Sequence, residues 1–256
     1  MNNLRLLTLD ATGTIFKFKE PPPKTYVKFA QKYDLKCHEN DVQKQFKIAY
    51  KTLNITHPHF GATSGISSKD WWGHVVQKTF EGKIQLALPS ILVENTYLIV
   101  FLLGMVSREA EKSLTVKVSE DLYQYFETSE AYEVYPDFLE FAENKDDQIK
   151  WAVISNFDVR LHTILRELKV SKYFHVVITS EETKFSKPSR EIFELTLDKL
   201  EDPEILPSEV LHIGDDAKND CPPQGWHRIL LQRDRPSGRF KNVCQSFHDV
   251  AKSIGN

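Results

Sequence analysis

The sequence predicts an α/β fold with a Rossmann-like parallel-sheet core and an inserted, mainly helical domain. Three observations predict it. The second half of the chain alternates short apolar runs with segments of helical spacing, the pattern of βαβ units. The extreme N-terminus supplies one more buried strand. Between them lies a long stretch that reads as helix after helix. Residues 1–15 and 133–256 therefore form the core, and residues 16–132 the inserted helical domain.

The elements follow in order. Arg5 to Leu9 is a short apolar run and reads as a buried strand, followed at once by the small-residue turn Asp10-Ala-Thr-Gly-Thr14. Pro21-Pro-Pro23 reads as a stop to regular structure. Lys24–Tyr33 and Asp41–Leu53 carry apolar residues at helical spacing (Tyr26, Val27, Phe29, Ala30; then Val42, Phe46, Ala49, Tyr50). His57 to Ser67 is loop-like, and Ser68 is placed to cap a helix holding Trp71, Trp72, Val75, Val76 and Phe80. Both tryptophans read as packing residues. Ser119–Phe126 is helical. In the second half, strands are expected at Trp151–Ile154, Val176–Ile178, Val210–Ile213 and Arg228–Leu231. Helices are expected at Phe138–Glu143, Leu161–Leu168, Arg190–Leu200 and Val243–Ile254.

Composition excludes several classes. The net charge of −3 gives no electrostatic reason to expect nucleic acid or an anionic membrane surface as a partner. Cys37, Cys221 and Cys244 fit neither a disulfide framework nor a metal-ligand spacing, which points to a reducing, cytoplasmic compartment. The N-terminal apolar run is too short for a signal peptide. Ile84–Val106 is mostly apolar, but Pro89 and the mid-segment Glu94 and Asn95 interrupt it. A charge at a membrane midplane costs roughly 2.5–3.5 kcal/mol, so a buried helix or irregular insert is expected there rather than a span.

The chemistry gathers at predicted strand ends, where open parallel sheets bind ligands. One strand ends in Asp10-Ala-Thr12-Gly-Thr14 and the next in Ser155-Asn156. Lys187-Pro188 follows a third, and Gly214-Asp215-Asp216, with Asp220 beyond, follows a fourth. A carboxylate, hydroxyls, a lysine and an acidic cluster on one rim suit phosphoryl transfer. The carboxylate can attack phosphorus, acidic groups with phosphate suit Mg²⁺, and lysine and hydroxyl hold the remaining oxygens. His162, His175, His212 and His227 fit no ligand spacing and read as core or surface residues.

Leu-Thr-Leu-Asp10-Ala-Thr-Gly-Thr14, Val-Ile-Ser155-Asn, Lys187-Pro-Ser-Arg-Glu-Ile-Phe193 and His-Ile-Gly-Asp215-Asp216-x-x-x-Asp220 resemble, in this order, the four motifs of the haloacid dehalogenase superfamily. The resemblance implies that Asp10 is a nucleophile, with Thr12 and Lys187 completing the catalytic set. It implies phosphate binding by Thr14, Ser155, Asn156 and Lys187, and Mg²⁺ binding by Asp10, Asp215, Asp216 and Asp220. The helical insert stands where that superfamily carries its type-1 cap, and a small phosphorylated metabolite is the implied substrate. Thr12 departs from the phosphatase pattern, in which a second aspartate protonates the leaving group and activates water. Such help is worth typically 10²–10⁴-fold, so weak or specialised turnover is expected. P-type ATPases carry threonine there, and dehalogenases lack the second acid, but the acidic cluster argues against dehalogenation. The alternative is a catalytically silent binding or regulatory protein on the same fold. Asp220-Cys-Pro-Pro-Gln-Gly225 also departs from the pattern, being shorter than the usual helix, and its two prolines resist a helix interior.

Overall fold

The run Leu-Leu-Thr-Leu forms strand β1 (Leu6–Leu9), buried along its whole length at the centre of a sheet. The computed structural model describes residues 3–81, 85–86, 97–234 and 242–255; for 85–86 and 97–109 it describes the backbone alone. After β1 and the short β2 (Phe16–Phe18) come the insert's elements: α1 (Pro22–Gln31), β3 (Leu35–Lys36), α2 (Glu39–Thr56), α3 (Ser68–Phe80), β4 (Gln85–Leu86) and α4 (Tyr97–Tyr125). The chain returns through β5 (Tyr132–Val134), α5 (Pro136–Glu143), β6 (Lys150–Ser155), α6 (Arg160–Glu167), β7 (Val176–Thr179), α7 (Ser180–Thr183) and α8 (Arg190–Lys199). It ends with β8 (Val210–Gly214), β9 (His227–Leu231), β10 (Val243–Cys244) and α9 (Phe247–Gly255).

The α/β expectation holds. A six-stranded parallel sheet has the order β10-β9-β8-β1-β6-β7. In register, Leu9 lies beside Val153 of β6 on one side and Ile213 of β8 on the other. From β1 the chain builds outward through β6 and β7, then crosses to β8 on the opposite flank. The order reverses at β1, which opens a crevice at the carboxyl ends of β6, β1 and β8.

Helices cover both faces, which is why β1, β6 and β8 read as continuous apolar runs rather than alternating ones. Ile192 and Phe193 of α8 pack on Ile154 and Ile178. On the other face, Phe138 of α5 is fully buried and meets Phe247 of α9 edge-on at 5.4 Å, with Tyr173 and Phe174 also against its ring.

The chain divides into two units, residues 1–19 with 128–256 and residues 20–127. The division falls beyond β2 and before β5 because these strands pair with each other, Phe16 beside Val134 and Phe18 beside Tyr132. Among the described residues, the insert shows two apolar centres. Tyr26, Phe29, Val42, Val76, Phe80 and Leu122 form one; Ala49, Leu53, Phe60, Trp71 and Val75 form the other. Trp71 is fully buried and its indole N–H donates to the His57 carbonyl at 2.8 Å.

Four expectations are corrected. Pro21-Pro-Pro23 does not stop a helix but starts one: Pro21 is the cap residue and Pro22 opens α1, where a missing N–H costs nothing. Ser67 rather than Ser68 caps α3, its hydroxyl accepting from the Asp70 N–H at 3.1 Å. The closing helix begins at Phe247, because Val243 and Cys244 are taken up as the edge strand β10. Ser119–Phe126 proves to be the end of the 29-residue α4. Of the Ile84–Val106 stretch, the backbone is helical from Tyr97; residues 84 and 87–96 lie outside the described residues. No helix of the described residues is long and apolar enough to cross a membrane.

Phe138→Ala removes the ring at the junction of α5, α9 and β6. A loss of about 3–5 kcal/mol in urea denaturation is expected; a loss below about 1 kcal/mol would show that the aromatic cluster is not a core.

Candidate functional site

Asp10 follows β1 directly, and its N–H continues the ladder by donating to the Ile213 carbonyl at 2.9 Å. The backbone is therefore fixed at the middle of the crevice before any side chain is considered. Ser155 is the last residue of β6, and its hydroxyl donates to Asp10 Oδ1 at 3.1 Å. Lys187, fully buried on the loop after β7 and α7, donates from Nζ to the same Oδ1 at 2.6 Å. It donates also to Asp220 Oδ1 at 2.6 Å. These residues, with Thr12, Phe157, Asp215 and Asn219, line a cleft of about 200 Å³.

Two glycines permit this crowding. Gly13 has φ +84°, and a Cβ there would lie 2.3 Å from an Asp215 carboxylate oxygen. A Cβ on Gly214 would lie 2.0 Å from Asp220 Cγ. Both acids thus occupy space that any other residue would fill.

The charges are unequal: three carboxylates face one ammonium. Burial raises the Asp10 carboxyl above the usual aspartate range; the Asp220 charge adds to this and Lys187 opposes it. Asp215 is exposed as a residue, but its carboxyl tucks against Gly13. Loss of hydration, then the charges of Asp10 and Asp220, push it up to about 7. Burial works against the Lys187 ammonium, yet the Asp10 and Asp220 charges hold it above the ordinary lysine range. Burial also opposes ionisation of Asp220, but bonds from His212 and Lys187 hold it well below the carboxylate range.

One oxygen each of Asp10, Asp215 and Asp220 lies within 4.8 Å of the others. Hard oxygen donors, close together and under-neutralised, are the donor set of a hard divalent cation. The residues present therefore fit the Mg²⁺ that the motif order implies.

Other expected residues do different work. Asp216 lies outside that trio. Its carboxylate accepts the N–H groups of Lys218 and Asn219 at 2.8 and 3.0 Å and so closes its own loop. Asn156 lines the cleft, but its amide also holds the neighbouring loop. Its Nδ2 donates to the Lys187 carbonyl at 2.9 Å and its Oδ1 accepts the Lys187 N–H at 2.7 Å, clamping the lysine backbone. Thr14 is fully buried beneath the turn rather than lining the cleft. Thr12 does line it, and its buried Oγ1 has no hydrogen-bond partner among the described residues. Sequence reasoning gave Thr8 no role and read His212 as core or surface. Both are fully buried, and they are linked to Asp220 by hydrogen bonds. The signal available was a polar residue inside each of two apolar strands.

A family profile described as haloacid dehalogenase-like hydrolase matches residues 4–223. The rhythmically expressed gene 2 protein of Drosophila melanogaster is 27% identical over 100% of this chain and 97% of its own length. Haloacid dehalogenase-like hydrolase domain-containing protein 3 of Xenopus laevis is 29% identical over 91% of this chain and 86% of its own. Among solved structures, the HAD-hydrolase YfnB of Bacillus subtilis, in a magnesium-bound crystal form, superposes with a TM-score of 0.64. It is 16% identical over 99% of this chain and 100% of that one, a likeness of fold.

Gly214→Ala forces Asp220 away from Asp216 and Lys187. A loss of about 1–3 kcal/mol is expected by urea denaturation. Wild-type stability would mean that Asp220 has another place to sit.

Proposed function

The chain belongs to the haloacid dehalogenase-like hydrolase family, and from that premise we propose that it is a Mg²⁺-dependent phosphate-ester hydrolase acting through an Asp10 aspartyl-phosphate. The observation that carries this reading is the buried Asp10 carboxylate, held at one oxygen by Ser155 and Lys187 beside the acids Asp215 and Asp220.

Oδ1 of Asp10 is taken by the Ser155 hydroxyl and the Lys187 ammonium, and the Ala11 N–H also bonds this carboxylate; Oδ2, the oxygen not held by those two side chains, is assigned as the attacking atom. It forms an O–P bond as the ester O–P bond breaks, and the alkoxide leaves with the former bond pair. Water then attacks phosphorus, the O–P bond to Asp10 breaks, and the carboxylate is restored with release of inorganic phosphate. The Lys187 ammonium, with a further N–H to give, and the Ser155 hydroxyl, turned from Asp10 Oδ1, are the donors for the phosphoryl oxygens. Asp10 and Asp215, with Asp220 beside them, would hold Mg²⁺, which supplies charge stabilisation to those oxygens when bound.

Proton movement is the weak point. Thr12 carries a hydroxyl where an acid would serve the leaving group, and among the described residues no acid stands in its place. With Asp215 given to the cation, the alkoxide takes its proton from solvent and the attacking water gives one up to solvent. Good leaving groups are therefore favoured over alkyl ones. The cleft of about 200 Å³ has room for a phosphate, and the remainder of a small phosphorylated metabolite is proposed to extend from it. The helical insert is proposed as the cap that selects that remainder. The threonine also supports a second reading, a binding protein that recognises phosphate without turning it over.

Purified protein with Mg²⁺ is expected to hydrolyse an aryl phosphate slowly, and Asp10→Asn to abolish this; activity surviving in the variant would sink the nucleophile assignment. Thr12→Asp is expected to raise turnover by on the order of 10², read in the same assay, and an unchanged rate would place the deficiency elsewhere. Beryllium fluoride separates the two readings in a melting experiment. A Mg²⁺-dependent rise in Tm that Asp10→Asn abolishes supports an acyl-phosphate site. A rise without turnover supports the binding protein, and no rise contradicts both.

A further inference from the structure

Two polar residues interrupt the apolar strands at the centre of the sheet. Thr8 of β1 and His212 of β8 are register partners on adjacent strands, and both are fully buried. A strand covered on both faces gains nothing from threonine or histidine unless each polar atom is paired. Here each is. The Thr8 hydroxyl lies 2.8 Å from His212 Nδ1, and His212 Nε2 lies 3.1 Å from Asp220 Oδ1. The Phe193 ring meets the imidazole edge-to-face at 5.2 Å and 88°.

The directions of these bonds are fixed by elimination. The Asp220 carboxylate can only accept, so His212 Nε2 carries the hydrogen. In the neutral imidazole Nδ1 is then left to accept, and the Thr8 hydroxyl, 2.8 Å from it against 3.4 Å from the Leu211 carbonyl, donates to it. Asp220 Oδ1 therefore receives the imidazole N–H and the Lys187 ammonium, while Oδ2 receives the Asp216 N–H at 2.9 Å. The ammonium in turn reaches Asp10. One continuous hydrogen-bond network, with Asp220 accepting from both sides, links a hydroxyl inside the sheet to the carboxylate at its rim.

We infer that Thr8 and His212 are positioning residues: they fix the Asp220 carboxylate from within the sheet and thereby set the Lys187 ammonium against Asp10. Its effect on kinetics rests on the proposed phosphohydrolase reading; the hydrogen-bond geometry does not. Without the imidazole donor, Oδ1 is held by Lys187 alone, and the two can shift together away from Asp10.

The test uses the full chain, with kinetics on an aryl phosphate and NMR on ¹⁵N-labelled protein. In the wild type, long-range ¹H–¹⁵N correlation is expected to show His212 as the Nε2–H tautomer; the Nδ1–H form overturns the inference. His212→Leu is expected to lower kcat by about 10- to 100-fold, the size of a hydrogen bond to a charged group, with KM nearly unchanged. His212→Gln, whose amide N–H reaches near the Nε2 position, is expected to restore most of that loss. Wild-type kcat in the leucine variant, or no recovery in a folded glutamine variant, overturns it. Should His212→Leu fail to fold, Thr8→Val takes its place: a mixture of tautomers with a smaller fall in kcat supports the inference, and neither change overturns it. If the wild type turns over no ester at all, the proposed function fails and the Lys187 ammonium resonance decides this point. A slowly exchanging signal that is lost in His212→Leu or Thr8→Val supports positioning, and one that persists overturns it.

Discussion

A lysine ammonium buried between two carboxylates organises this molecule. Taking one charge out of water is costly, and it is tolerated only where partners and geometry are supplied together. Lys187 has both: Asp10 at the end of β1 and Asp220 on the loop beyond β8, each 2.6 Å from Nζ. Its own backbone is held by Asn156 at the end of β6. Three strands must therefore sit in register before the ammonium is neutralised. The site acts as a cross-link at the carboxyl end of the sheet as well as a place for chemistry.

That cross-link leaves one acid over. Lys187 satisfies Asp10 and Asp220, and Asp215 is pushed up towards neutrality by them and by its own loss of hydration. On the proposed reading, this imbalance is what a divalent cation would relieve. Thr12 does nothing to relieve it, since a hydroxyl neither carries charge nor exchanges protons readily near neutral pH. The electrostatics support the proposed phosphate-and-metal reading, in which Thr12 stands where the proton-handling acid would be.

Much of this was legible in the sequence because a parallel sheet gathers strand ends from distant parts of the chain. Asp10, Ser155, Lys187 and Asp215 each follow an apolar run, and the topology brings all four together. What pattern reading cannot see is the direction in which a polar side chain points. Asn156 and Asp216 sit in the right motifs, yet one clamps the backbone of a neighbouring loop and the other closes its own turn. Thr8 and His212 are hidden by the opposite problem. Apolar periodicity reports that a position is buried, not which atom it meets. The proline triplet and β10 escaped for local reasons, since a proline that breaks a helix interior is welcome at its first turn, and two residues are too few to register as a strand.

The Asn156 clamp has a bearing on how such a protein can be rebuilt. Because one amide grips both the N–H and the carbonyl of Lys187, the loop after β6 and the loop carrying the lysine form a single mechanical piece. A chimera that imports one of them from a relative without the other would deliver the ammonium in the wrong place even with every motif letter intact. The two segments, 31 residues apart in the chain, are best treated as one module in any recombination scheme.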